Sequence, residues 1–253
     1  MPEIKELVKQ LGKDQETAYK ANYALLQMVT RASAPDVVSQ ARRGEVAGQL
    51  AAELNAKTKP KKNKKGKEVP PELVHSAVVR SAICRLLAYV GGAGEVPALV
   101  EALGDLEVRE MARLALDGNR SEEATAALVQ AVEAIGPEFR VGAINALGRR
   151  KGPNVVAALR KAAEDDDPEA ALAAVEALAN FADPSVDAVI AKAAGAKCAK
   201  ARARANKARV RLAETLRKAG NKAAARAIYK AIAASDADQV QKRAAETGLK
   251  ATV

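Results

Sequence analysis

The chain has 253 residues, 49% of them apolar and 2% aromatic with no Trp, and carries a formal charge of +10 at pH 7. That length and apolar content suffice for a buried core, and a core without aromatics has to be built from Ala, Leu, Val and Ile, which favours closely packed helices over sheets. Cys84 and Cys198 lie far apart with no CxxC or Cys/His spacing, which signals neither a disulfide framework nor a zinc site.

Both thiols are therefore expected to be ordinary buried or half-buried side chains. No apolar run approaches the ~20 residues of a membrane span. The start, MPEIKELVKQLG, reads as a helix rather than a signal peptide, so the chain as it stands is expected to be soluble and cytoplasmic, or exported if its start was trimmed. Charge is unevenly spread. Segment 57–67, KTKPKKNKKGK, has seven lysines and no acid, and segment 196–230 has twelve Lys/Arg and one Glu. Between them, residues 91–195 hold eighteen acids and ten bases. A mildly acidic body thus carries two basic appendages.

In chain order, the apolar spacing predicts helices at 2–11, 15–32 and 36–56, then an exposed loop from Lys57 to Glu68. Clustered lysines with Pro60 and Gly66 bury too little apolar area to offset their ordering entropy. A helix at 72–90 follows, with the single histidine, His75, near its start. One histidine without a serine elbow or paired cysteine does not assemble acid/base or triad chemistry, so a surface or packing role is expected for it. GGAG at 91–94 does not complete GxGxxG and follows a helix, which makes it a helix stop and turn.

From here the pattern repeats. Leu87, Leu116, Leu147 and Leu178 are spaced by 29, 31 and 31 residues, and Leu99, Leu128, Leu159 and Ile190 keep the same steps. Two columns in step imply two helices per unit. They are expected at 95–104 and 106–117, 122–134 and 138–149, 153–164 and 168–181, and 185–194. Basic and terminal helices follow at 197–219, 221–233 and 237–250. Prolines such as Pro71, Pro97, Pro137, Pro153, Pro168 and Pro184 fall at or near helix starts, with Asp167 and Asp183 as N-caps. Capping also accounts for the run Asp165-Asp166-Asp167 without a metal.

The stretch VPALVEALGDLEVREMARLAL, residues 96–116, resembles the HEAT-repeat pattern through Val96, Pro97, Leu99, Leu103, Asp105, Val108, Arg109, Ala112, Ala115 and Leu116. Units 121–149 and 152–181 are looser, with Gly136 for the Asp and Ala171 for the Arg, and the tail is TPR-like in Gly220, Ala225, Tyr229 and Ala231. As a whole the chain resembles bacterial HEAT-like repeat proteins of unassigned biochemistry. The resemblance implies an all-α, HEAT-like α-solenoid, a right-handed superhelix of stacked helix pairs forming one domain. Its parts are N-terminal helices at 1–56, a basic loop at 57–71, HEAT-like repeats at 72–194 and basic TPR-like helices at 195–253.

Seven residues before three of the column leucines stand Arg80, Arg109 and Arg140, while Ala171 holds the fourth place. By the resemblance they line the inner side of the superhelix. Two readings stand: a structural ladder to acids of neighbouring units, such as Arg109 with Asp105 or Arg140 with Asp166, or anion capture in the groove. In the basic helix, Lys197, Lys200, Arg204, Lys207, Arg211 and Lys218 fall within an arc of roughly 80°, at ~100° per residue. Ala199, Ala203, Val210 and Ala213 take a different face, on which the helix could dock. A solvated face, a polyanion contact and a protein contact are all compatible with such a stripe. The expected function is a non-enzymatic protein-interaction scaffold with a protein partner on its concave surface. The alternative is sequence-independent binding of duplex nucleic acid or another polyanion through 197–218 and 57–67. The near absence of aromatics argues against base stacking. No cofactor, metal or small-molecule substrate is indicated.

Overall fold

The computed structural model describes residues 3–64, 67–134, 136–152 and 154–252. Among these run fourteen α-helices and one two-stranded hairpin, and the chain divides into two compact units, residues 1–128 and 129–253.

The first unit contains α1 (Ile4–Gln10), α2 (Gln15–Ala32), α3 (Val37–Leu54), the hairpin strands β1 (Lys61–Lys62) and β2 (Glu68–Val69), α4 (Ala77–Val90), α5 (Val96–Leu103) and α6 (Arg109–Gly118). The dividing point falls inside α7 (Glu122–Ala134). α4 packs against α3 and α6, and α5 closes on α6, so the apolar residues that recur in sequence meet between helices. Leu87, Leu99, Leu116 and Leu128 are fully buried, as the two columns require.

Two expectations fail in the basic segment. In place of a loop, Lys61 pairs with Val69 and Lys62 with Glu68 in an antiparallel hairpin, and Lys57 bridges to Leu73. The cause is backbone satisfaction: the Thr58 N–H donates to Glu72 O at 2.8 Å, and the Val74 N–H to Ala56 O at 2.8 Å. The same pairing delays the next helix, which starts at Ala77 with Ser76 as its cap, so Pro71 lies in the ribbon and not at a helix start. Lys65 and Gly66 of the lysine run lie outside the described residues.

The second unit contains α8 (Pro137–Leu147), α9 (Val155–Ala162), α10 (Pro168–Leu178), α11 (Asp187–Ala194), α12 (Ala199–Lys218), α13 (Lys222–Ala233) and α14 (Gln239–Lys250). α10 packs on α8, α9 and α12, and α12 in turn packs on α11, α13 and α14. Leu147, Leu159, Leu178 and Ile190 are fully buried, continuing both columns. Asp167 accepts the Glu169 N–H at 3.2 Å and Asp183 the Ser185 N–H at 2.9 Å, each where a cap is expected. Pro137 and Pro168 open their helices, whereas the expected helix start at Pro153 lies outside the described residues. Both units are thus all-α stacks of paired helices, apart from the small hairpin.

Candidate functional site

The side chains singled out by sequence belong to three settings, and their partners decide what each can do. Arg80, on α4, is buried. Its Nε donates to Leu54 O at 2.9 Å, its Nη2 to Asn55 Oδ1 at 3.3 Å, and its Nη1 to Asp105. Asn55 passes the link on, donating to Ala98 O at 2.8 Å. Arg109 donates Nε to the Leu103 carbonyl at 2.7 Å in its own repeat. The Glu107 N–H, then Arg80, hold the Asp105 carboxyl below its ordinary value, with a further contribution from the Arg109 charge. In the second unit Arg140 bonds Asp165, whose carboxyl is lowered first by the Asp167 N–H and then by Arg140.

These pairs correct the partners expected from sequence. Asp105 receives Arg80 of the preceding repeat, where Arg109 was expected, and the acid facing Arg140 is Asp165, one residue before Asp166. In both pairs the arginine reaches an aspartate 25 residues ahead. The reason is the inter-helix turn. Asp105 and Asp165 each fold their Oδ1 back onto the N–H two residues on, at 2.9 Å, which leaves the other oxygen turned to the arginine. Among the described residues no group of acids, histidines and cysteines is arranged to hold a metal.

The basic stripe on α12 is divided. Arg204 grips Glu176 with two bonds, Nε at 2.9 Å and Nη2 at 2.8 Å, and reaches Glu169 with Nη1 at 2.8 Å. Those bonds raise the Arg204 pKa and lower both glutamates. Lys200 adds a looser 3.7 Å approach to Glu169. Lys197, Lys207 and Lys218 are exposed, and Arg211 only reaches Asn180 Oδ1 at 3.5 Å. The acids of α10 thus take up Arg204 and, more loosely, Lys200.

The docking face of α12 also differs from the expected one. Ala213 is buried, but Ala199 is exposed and Ala203 and Val210 are half-buried. Burial instead follows Ala205, Ala208, Leu212 and Leu216, together with Asn206 and Arg209. An arginine is tolerated there because Asp187 of α11 takes its fork with two bonds, at 2.8 and 2.9 Å. That pair joins two residues 22 positions apart on successive helices, and no local spacing signals it. His75 likewise has a packing role: its side chain is 6% exposed and its Nε2 lies 2.7 Å from Glu53 Oε2. Cys84 is buried as expected. Cys198 is not: it is exposed, because as N-cap of α12 it stands outside the packed part of that helix.

Stacked helix pairs with buried leucine columns and charged links between repeats define an α-helical repeat protein. Residues 136–208 match the family of HEAT repeats, in keeping with the HEAT-like helix pairs of the fold. Among solved structures, it is similar to the archaeal HEAT-like repeats protein from Thermococcus onnurineus NA1 (12% identity, 100% of this chain and 97% of that one, TM-score 0.45). It is also similar to the complex of CpcE and CpcF of phycocyanin lyase from Nostoc sp. PCC7120 (15% identity, 100% and 96%, TM-score 0.43) and to human deoxyhypusine hydroxylase in complex with glycerol (16% identity, 98% and 94%, TM-score 0.36). At such scores these likenesses carry no argument about a site or an activity. Curated protein sequences give no match. No described helix is long and apolar enough to cross a membrane.

Proposed function

We propose that the chain is a non-enzymatic protein-interaction scaffold, one continuous repeat domain offering a helical surface to a protein partner. The carrying observation is on α2, where Tyr19, Tyr23 and Leu26 follow i, i+4, i+7 spacing and are 70%, 56% and 42% exposed. The chain has four tyrosines, and only Tyr229 is buried, so most of its scarce aromatic surface faces outward. Tyrosine combines a large apolar ring with a polar tip, which suits a protein interface better than free solvent. The test is a photo-crosslinking amino acid placed at Tyr19 and at Tyr23. A discrete cross-linked protein, lost in a Tyr19→Ser/Tyr23→Ser variant of unchanged helicity, is the expected result; equal labelling of many proteins counts against the reading.

A second reading, sequence-independent contact with a polyanion, draws on the exposed Lys207, Arg211 and Lys218 and the lysines of the hairpin. It loses Arg204 and, in part, Lys200 to Glu176 and Glu169. Any such complex should weaken with a slope of about −0.9 in log affinity against log salt for each phosphate neutralised. Salt titration on two unrelated duplexes with wild type and a Lys207→Gln/Arg211→Gln/Lys218→Gln variant decides it: equal weak binding by both proteins leaves the stripe a solvated and intramolecularly paired face.

A further inference from the structure

A cavity of about 500 Å³ lies in the second unit between the end of α11, one face of α12 and the turn from α13 to α14. Its apolar lining is alanine, from Ala191, Ala194, Ala196 and Ala237, so it leaves space at its centre. Its polar lining is concentrated on α12, where Arg202, Asn206 and Arg209 stand at i, i+4 and i+7 and therefore on one side of the helix. Lys197, Ser235 and Asp236 complete it.

Asn206 is the informative residue. It is 6% exposed, yet among the described residues its carboxamide makes no hydrogen bond. Its backbone and Cβ are packed, while its amide atoms open onto the cavity and stay available to a ligand. Its neighbours are held in place with donors to spare. Arg202 commits only Nη1, to Ala196 O at 3.1 Å and Lys197 O at 2.9 Å, which leaves Nε and Nη2. Arg209 commits Nε and Nη2 to Asp187, which leaves Nη1. Ser235 is spent, donating to Ile232 O at 2.8 Å and accepting the Ala237 N–H at 3.2 Å. The free groups are therefore mostly donors, with the Asn206 amide oxygen and the Asp236 carboxylate as the acceptors beside them.

Charge narrows the ligand. Asp187 neutralises Arg209, so Lys197 and Arg202 stand against Asp236, a surplus of a single positive charge. That balance suits a monoanion better than a phosphate dianion. A planar carboxylate matches the remaining donors of an arginine fork, and the Asn206 oxygen calls for an N–H on the same ligand. We propose that this cavity is a binding site for a carboxylate whose ligand also carries an amide N–H, as in an N-acylated amino acid or the end of a peptide chain. This inference goes beyond the scaffold reading and concerns a different part of the chain from α2.

The probe is N-acetylglycine, titrated into the full-length protein while the Asn206 side-chain amide and the Ser235–Ala237 backbone amides are followed by NMR. Saturable shifts of these signals are expected, at least tenfold weaker with N-acetylglycinamide, which lacks the carboxylate, and with inorganic phosphate. Lengthening the probe to acetyl-Ala-Ala-Gly separates the sources: tightening points to a peptide end, and unchanged affinity to a small carboxylate. Arg202→Gln should weaken binding by at least tenfold. Asn206→Leu should abolish it while leaving the melting temperature unchanged or higher, because the amide has no structural partner to lose. The proposal is overturned if no probe gives a saturable shift, if phosphate equals N-acetylglycine, or if Asn206→Leu melts several degrees lower with binding retained.

Discussion

Tyr229 lies against Gly248 so closely that a Cβ built on the glycine would stand 2.3 Å from the ring Cζ. The ring is fully buried and its hydroxyl donates to Glu214 Oε2 at 2.7 Å, so it has no freedom to retreat. In an ordinary helix, glycine to alanine stabilises by roughly 1 kcal/mol through propensity. Here the clash reverses the sign. Gly248→Ala should destabilise by about 1–3 kcal/mol, the range for overpacking a filled core, as read by urea unfolding. A gain in stability would show that α13 and α14 do not pack this closely.

Leu147 is fully buried in the column shared by α8 and α10. Truncation to alanine should cost about 2–5 kcal/mol, the combined loss of transfer free energy and creation of a cavity. A chemical denaturation curve shifted by less than about half a kcal/mol would remove Leu147 from the core.

Asp105→Ala should cost more than Arg80→Met, because the first leaves a buried guanidinium without its counter-charge and the second removes that charge. Removal of one partner of a buried pair costs about 3–5 kcal/mol. The value expected here lies toward the low end, since the Asp105 side chain is 29% exposed. Equal unfolding midpoints for the two variants would contradict the ladder.

Acid should reach Glu214 late. Arg217, then Tyr229, hold its carboxyl down to about 2 against an ordinary 4.5. Because the folded value is the lower one, the associated stability is fully present above about pH 4.5 and is lost as pH falls toward 2. The stability gap between wild type and Glu214→Gln should accordingly shrink across that window in urea melts. On the alkaline side, burial and then Glu214 push Tyr229 up to about 12, so stability should fall as pH rises from 10 to 12. A pH-independent gap would mean that the triad does not form.

The two thiols should separate cleanly under alkylation. The Cys198 thiol is lowered by the Ala201 and Lys200 N–H groups at the start of α12, whereas burial pushes Cys84 up to about 12. Mass spectrometry after brief iodoacetamide treatment at neutral pH should find Cys198 labelled and Cys84 untouched until urea is added. Comparable labelling of both would show that Cys84 is open to solvent.

The leucine columns were legible because burial of one helix face repeats at a fixed period, as it does from Leu87 to Leu178. The docking face of α12 was not. Alanines surround that helix, so Ala199, Ala203 and Val210 compete with Ala205, Ala208 and Leu212, and only the neighbouring helices choose between them. Arg209 is one cation among many in its stretch of sequence, and only Asp187, from another helix, marks it as buried and paired. Asn206 carried a faint signal, a lone amide four residues after Arg202 among alanines, but its unpartnered state belongs to tertiary structure. The hairpin was hidden for a similar reason: its lysines show no alternation, and its stability comes from backbone partners such as Thr58 and Glu72.

The direction of the charged links changes along the second unit. Arg140 on α8 reaches forward to Asp165 in the turn that leads into α10, whereas Glu169 and Glu176 on α10 itself wait for an arginine on α12. α10 with its entry turn therefore presents acid toward both α8 and α12 and fits between two arginine donors. If the stack slipped by one helix pair, like charges would face each other across the new seam. Sign order thus acts as an address: it marks each helix with its place in the row, which alanine-rich packing surfaces, being nearly interchangeable, could not do alone.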